Sequence, residues 1–112
     1  MKGKTKNRKN RKQYKLIATV FDKHGRILSI ATNSYQKTHP YQAKLAKKVG
    51  EPHKVFLHAE IRAILKAQKF GSPHKIKIER YDACGNPVNA EPCKICKLAI
   101  KEVGIKLIEY TV

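Results

Sequence analysis

Four residues of this 112-residue chain have side chains and spacing suited to metal-assisted chemistry. His58 and Glu60 stand two residues apart at the start of an apolar, helix-forming segment, FLHAEIRAILKA at 56–67. Cys93 and Cys96 stand three residues apart directly after Pro92, where another helix is predicted to begin, so both sulfurs share its first turn. One imidazole and two thiolates supply three zinc ligands and leave a fourth position open, as in catalytic zinc sites.

Glu60 has a role in this arrangement without being a ligand. A carboxylate beside a zinc site can take a proton from water and pass it to a substrate nitrogen. The alternative is a closed structural zinc site in which Cys84, from the turn-forming segment DACGNP (82–87), is the fourth ligand. That alternative leaves Glu60 without a function.

The elements that must position these residues follow from the apolar pattern. Residues 15–21 and 26–32 flank the turn DKHG and predict a β-hairpin covered on both faces. Helices are predicted from Pro40 to Val49, from about His58 and over 93–104, with strands over 74–80 and 105–112 and a turn-rich loop at 81–92. We therefore expect an α/β layered domain of about four strands over residues 14–112, in which the hairpin and a short helix precede the order αβαβ.

The net charge of +17, from 25 Lys and Arg against 8 acids, attracts polyanions such as nucleic acids. Residues 1–13 are predicted to be a disordered basic arm, and the alternative is a solubilising tail. Tyr35 is a candidate for stacking on a base, and the alternative is that it packs within the protein. His39 is predicted either to contact a substrate phosphate or to cap a helix. The candidate nucleic-acid contacts are Lys6, Arg8, Lys9, Arg11, Lys12, Tyr35 and Lys37. Two stripes of cationic side chains on predicted helices are interpreted as solvated helix faces, with phosphate contacts as the second interpretation. The stripes are Arg62, Lys66 and Lys69, and Lys94, Lys97 and Lys101.

The apolar pattern and the cysteine count bear on the cellular location of the protein. No apolar run approaches the roughly 20 residues that span a bilayer, and the basic start has no apolar region of a secretory signal. Three cysteines make a poor disulfide framework and favour a reducing compartment. We expect a cytoplasmic protein with no membrane partner.

The segments HAE at 58–60 and EPCKIC at 91–96 resemble the signature of the cytidine and deoxycytidylate deaminase superfamily. The residues of these two segments are most similar to the branch that includes the tRNA adenosine deaminases. The resemblance implies a cytidine-deaminase-like fold, Zn²⁺ held by His58, Cys93 and Cys96, and Glu60 as the proton shuttle. It also implies base contacts from the Ala59 N–H and the Glu91 carbonyl, and a sugar contact from Asn33.

Resemblance and charge together predict hydrolytic deamination of cytosine to uracil in single-stranded DNA or RNA. A free deoxycytidylate or cytidine deaminase and a tRNA-type adenosine deaminase are alternatives with the same chemistry. A non-catalytic, zinc-stabilised nucleic-acid-binding module is an alternative of another class. Superfamily members usually continue past the fourth strand, whereas this chain stops at Val112. We therefore expect a homo-oligomer, or another partner, that covers this C-terminally minimal side.

Overall fold

A computed structural model describes residues 15–34 and 36–112 of the chain. The predicted basic arm and Tyr35 lie outside these residues. The elements are β1 (Lys15–Phe21), β2 (Ile27–Thr32), α1 (Pro40–Lys48), α2 (Ala59–Ala67), β3 (Lys75–Tyr81), β4 (Pro87–Val88), α3 (Lys94–Glu102) and β5 (Leu107–Tyr110). The predicted α/β architecture is confirmed. None of the helices in the described ranges is long and apolar enough to cross a membrane.

The strands form one mixed sheet with β1 between β2 and β3, both antiparallel to it. The other edge of β3 is shared by two short strands. β5 runs parallel to residues 75–78, and β4 runs antiparallel to residues 80–81. The sequence predicted about four strands because β4, with two residues, is too short to show an alternating pattern.

The turn before β4 repeats the turn of the first hairpin. In each turn an aspartate, Asp22 or Asp82, accepts hydrogen bonds at Oδ1 from the N–H groups two and four residues later, at 2.8 to 2.9 Å. A glycine three residues after the aspartate has a φ of 83° or 85°, in the left-handed region that glycine tolerates. The segment 81–92, predicted to be a loop, therefore contains a second hairpin, and the shared D-x-x-G pattern is the signal that identifies it.

The core lies between the sheet and its helices. α2 packs against β1 and β2, and α3 packs against both α1 and α2. The fully buried side chains include Val20, Leu45, Ile61, Ile64, Ile76, Ile78 and Ile95. The predicted cover on both faces of the hairpin is wrong for β2, because α2 packs on one face and leaves Ile27 and Ile30 more than half exposed.

Two helix cations that were expected to be solvated bind the edge of the sheet. Arg62 Nη1 donates to the Thr32 carbonyl at 3.3 Å, and Lys66 Nζ donates to the Ile30 carbonyl at 3.4 Å. Both carbonyls belong to the edge strand β2. These two hydrogen bonds connect α2 to β2.

Apolar side chains of β5 are also exposed, including Leu107, Ile108 and Tyr110. β5 pairs with β3 on one side only within the described residues. The homo-oligomer expected from the sequence stays a prediction.

Thr111 closes the gap between β4 and β5 along β3. Its Oγ1 donates to the Val88 carbonyl at 2.6 Å and accepts from the Arg80 N–H at 3.1 Å. Its backbone N–H donates to the Ile78 carbonyl, and its carbonyl accepts from the Ala90 N–H at 2.8 Å. Thr111 therefore ties the last residues of the chain to the segment that leads to Cys93.

We expect Thr111→Val to lower the free energy of unfolding by about 1–3 kcal/mol, because it removes one donated and one accepted hydrogen bond at a partly buried position. Urea denaturation measures the change. Thr111→Ser is the matched control, since it keeps the hydroxyl group and is expected to lose less stability. Equal stability of Thr111→Val and Thr111→Ser would contradict the role of the hydroxyl.

Candidate metal centre

His58 and Cys93 occupy the N-cap positions of α2 and α3, where Ser, Thr, Asp or Asn is usual. Neither side chain caps its helix. Both instead form a cluster with Cys96: His58 Nδ1 lies 3.3 Å from Cys96 Sγ and 3.5 Å from Cys93 Sγ. The three candidate ligand atoms lie within 4.8 Å of one another. His58, Cys93 and Cys96 are thus positioned to bind zinc, as the sequence predicted.

Cys84 is not part of this cluster. It lies exposed in the turn between β3 and β4, where its N–H donates to Asp82 Oδ1. A closed site with Cys84 as fourth ligand is therefore wrong for this structure. The described residues supply three ligands, which leaves one position for water or substrate.

Hydrogen bonds inside the cluster separate the pKa values of its groups. The hydrogen bond with Cys96, and a further one with His58, lower the pKa of Cys93 to about 4. The hydrogen bond with Cys93, together with burial, raises the pKa of Cys96 well above its usual value of 9.0. The hydrogen bond with Cys93 also raises the pKa of His58. The metal-free cluster thus favours a thiolate on Cys93 beside a protonated Cys96, whose proton zinc would replace.

Glu60 lies in the first turn of α2, two residues after His58. Its side chain is 3% exposed, and its Oε1 has no hydrogen-bond partner in the part of the chain that the structure describes. Burial raises the pKa of Glu60. A buried polar oxygen without a partner is destabilising, so this atom indicates a place for a bound polar group beside the ligands. Together with the soft donor set, it fits a zinc ion with an open fourth position.

A cavity of about 650 Å³ opens beside the cluster, and His58, Glu60 and Cys93 form part of its wall. This volume lies in the range of small-molecule sites, roughly 300–1,000 Å³, and can hold a nucleoside. The other lining residues are Leu16, Asn33, Ser34, His53, Lys54, Phe56, Leu57, Arg80, Asn89, Ala90 and Glu91.

Two of the three predicted substrate contacts, Asn33 and Glu91, lie in this lining. Asn33 reaches it because the segment after β2 pairs with the residues before His58: the Ser34 N–H donates to the Leu57 carbonyl at 3.1 Å. The Glu91 N–H donates to Asn89 Oδ1 at 2.8 Å, and its carboxylate pairs with Lys97. The third, Ala59, is fully buried and outside the lining. Their roles toward substrate stay predictions.

The loop after Asn33 contributes less than the sequence suggested. His39 caps α1, with its Nδ1 accepting from the Tyr41 N–H at 3.0 Å, so of the two alternatives the structure supports the helix cap. Lys37 is exposed and lies outside the cavity lining.

The lining residues that were not predicted from the sequence include Lys54, Phe56 and Arg80. Arg80 follows Ile76 and Ile78 at a period of two, so it belongs to the helix-covered face of β3. In the sequence, the signal that could have identified Arg80 was an arginine at a position where the alternating pattern of the strand predicts an apolar residue. Phe56 and Lys54 come from an irregular segment, which has no periodicity to reveal their position.

The sequence profile of one protein family, described as the cytidine and deoxycytidylate deaminase zinc-binding region, matches residues 2–112. The chain belongs to this deaminase family. Its membership and the zinc-ligand cluster support a zinc-dependent deaminase. A comparison with curated proteins finds no match.

Proposed function

We propose that this protein is a zinc-dependent hydrolytic deaminase that converts cytosine to uracil in single-stranded polynucleotides. Glu60 carries the proposal, because its buried Oε1, which has no partner among residues 15–34 and 36–112, lies beside the three-ligand cluster in the wall of an open cavity. The family description names cytidine and deoxycytidylate, which favours cytosine over adenine.

A zinc ion held by the cluster supplies Lewis-acid activation of the attacking water. In the proposed reaction, water adds to C4 of cytosine, the C4–N4 bond breaks, and ammonia leaves. Glu60 would take a first proton from the water and deliver it to the ring nitrogen. It would then move the second proton from the hydroxyl group on C4 to the departing amine, which leaves a carbonyl at C4. From the cavity lining, the Glu91 carbonyl would orient the base and Asn33 would hold the sugar. The N–H of the buried Ala59 is the third proposed contact.

Charge supports a polynucleotide as the substrate. The chain carries +17, far more than a free nucleotide requires. Two cations line the cavity and are held in its wall. Lys54 pairs with Glu51 at 2.7 Å, and Arg80 Nη1 donates to the Asn89 carbonyl at 3.3 Å. The target base must leave its stack to enter the cavity, which favours single-stranded substrates.

The experiment that tests this function is a competition read by mass spectrometry. Zinc-loaded protein receives single-stranded DNA, single-stranded RNA, deoxycytidylate and cytidine together, and each is analysed for conversion of an amino group to an oxo group. Conversion of cytosine within an oligonucleotide supports the proposal. Conversion of deoxycytidylate or cytidine alone identifies a free-nucleotide or nucleoside enzyme, and conversion of adenine in RNA identifies a tRNA-type deaminase. No conversion despite tight zinc binding favours the binding module.

Phe56 is expected to act as a stacking surface for a base at the cavity. It is 48% exposed and lines the cavity, and stacking on an aromatic ring contributes about 1–3 kcal/mol per base. We expect Phe56→Ala to raise KM for an oligonucleotide roughly tenfold in steady-state assays. Phe70→Ala is the matched control, because Phe70 is also exposed but lies outside the lining. Equal effects of the two variants would refute the stacking role.

Deleting residues 1–13, which contain seven Lys and Arg, is expected to weaken oligonucleotide binding and flatten its dependence on salt. For a single strand, each phosphate that the protein no longer neutralises reduces the slope of log K against log salt by about 0.7. Fluorescence anisotropy over a salt series measures this slope. Affinity for deoxycytidylate is the control and is expected to stay unchanged. An unchanged slope would remove the arm from nucleic-acid binding.

A further inference from the structure

Gln42 is a fully buried polar side chain on α1, between the core residues Leu45 and Ala46 and the segment that leads to α2. Both ends of its amide are hydrogen-bonded. Its Oε1 accepts from the His58 N–H at 3.3 Å, and its Nε2 donates to the Lys54 carbonyl at 3.1 Å. A flipped amide would place donor against donor and acceptor against acceptor, so the two bonds define one orientation.

The bond to His58 acts on a backbone group that its helix does not use. As the N-cap residue of α2, His58 has its own N–H outside the helical hydrogen-bond ladder. The peptide between Leu57 and His58 is held on its carbonyl by the Ser34 N–H and on its N–H by Gln42. The next peptide is held by the Arg62 N–H, which donates to the His58 carbonyl at 3.0 Å.

With both flanking peptides held, the direction of the Cα–Cβ bond of His58 is set. That bond aims the imidazole at the two thiols. The second bond of Gln42 holds the Lys54 carbonyl, and the segment around it contributes Lys54 and Phe56 to the cavity wall.

We propose that Gln42 is a positioning residue that holds the zinc ligand His58 and the adjacent cavity wall in one arrangement. The inference rests on the zinc cluster and is independent of the identity of the substrate. Partners that orient metal ligands typically change metal affinity by roughly 10–100-fold when they are removed.

The test compares Gln42→Met with Ser29→Ala. Gln42→Met keeps the approximate volume of the side chain and removes both hydrogen bonds. Ser29→Ala is the matched control, because it removes another buried hydrogen bond from a side chain to a backbone carbonyl of α2, 2.6 Å to Ala63. Ser29 belongs to neither the metal cluster nor the cavity lining. Zinc affinity is measured by competition with a chromophoric chelator, and the Co²⁺-loaded proteins are compared by visible absorption. Thermal unfolding of the metal-free proteins reports the purely structural effect.

We expect Gln42→Met to weaken zinc binding at least about tenfold and to shift the Co²⁺ bands, whereas Ser29→Ala leaves both unchanged. The proposal is overturned if Gln42→Met keeps wild-type zinc affinity and Co²⁺ bands, or if Ser29→Ala weakens binding equally. If Gln42→Met does not fold, Gln42→Asn, one methylene shorter, takes its place with the same expected and contrary results.

Discussion

Replacing Glu60 by glutamine is expected to lower kcat at least about a hundredfold on any substrate that the protein deaminates. The substitution keeps the size of the side chain and removes its capacity to accept a proton. Because Glu60 is not one of the three clustered ligands, zinc content is expected to stay at the wild-type level. Single-turnover assays of uracil formation, with metal analysis of the same samples, measure both quantities.

A second carboxylate provides the control for this experiment. Glu109 is exposed and pairs with Lys75 at 3.1 Å on the sheet, away from the cavity lining. Glu109→Gln therefore tests whether loss of any negative charge affects turnover, and it is expected to keep wild-type activity. If Glu60→Gln also keeps wild-type kcat, proton transfer through Glu60 is wrong and the non-catalytic zinc module gains support.

Replacing Cys93 by serine is expected to abolish stabilisation of the fold by zinc. In the wild-type protein, free zinc at a thousandfold excess over Kd stabilises the folded state by about 4 kcal/mol, which raises Tm by on the order of 15 °C for a domain of this size. Serine is a poor zinc ligand but a good N-cap residue, and Cys93 is the N-cap of α3. The metal-free variant is therefore expected to be as stable as the wild type, or more stable.

Cys84→Ser is the matched control for the cysteine experiment. Cys84 is exposed and outside the cluster, so this variant is expected to show the full rise of Tm with zinc. Differential scanning fluorimetry with and without zinc compares the three proteins. A rise of Tm that survives Cys93→Ser but is absent in Cys84→Ser would reverse the assignment of the ligands.

The zinc ligands were predictable because their signal is local. The i, i+3 spacing of Pro-Cys-x-x-Cys puts both sulfurs in one helical turn, whatever the rest of the fold does. His-x-Glu keeps Glu60 within two residues of the candidate ligand His58. The helices that carry them were also predictable, since α2 and α3 have clear apolar faces. The short strand β4 was not predicted, although the repeated D-x-x-G pattern marks the turn that precedes it.

For Gln42 and Arg80, the local sequence pattern does not reveal the contacts that the side chain makes. Each is a polar residue at a position where the periodicity of its element predicts a buried apolar one: Gln42 beside Leu45 and Ala46, and Arg80 after Ile76 and Ile78. The pattern shows that such a residue is unusual. It does not show what the side chain touches, because the partners lie elsewhere in the chain.

The sequence by itself determined the α/β order apart from β4, the two motifs that carry the candidate zinc ligands, and the resemblance to the deaminases, because each of these depends on residues that are close in sequence. Only the tertiary structure decided that His58 meets Cys93 and Cys96 and that Cys84 stays apart from them. It also left one oxygen of Glu60 without a hydrogen-bond partner in the described part of the chain. It also decided which loop residues line the cavity and that Gln42 holds the backbone of His58. The physical reason is that these interactions join residues distant in sequence, and their distances depend on how the helices pack on the sheet.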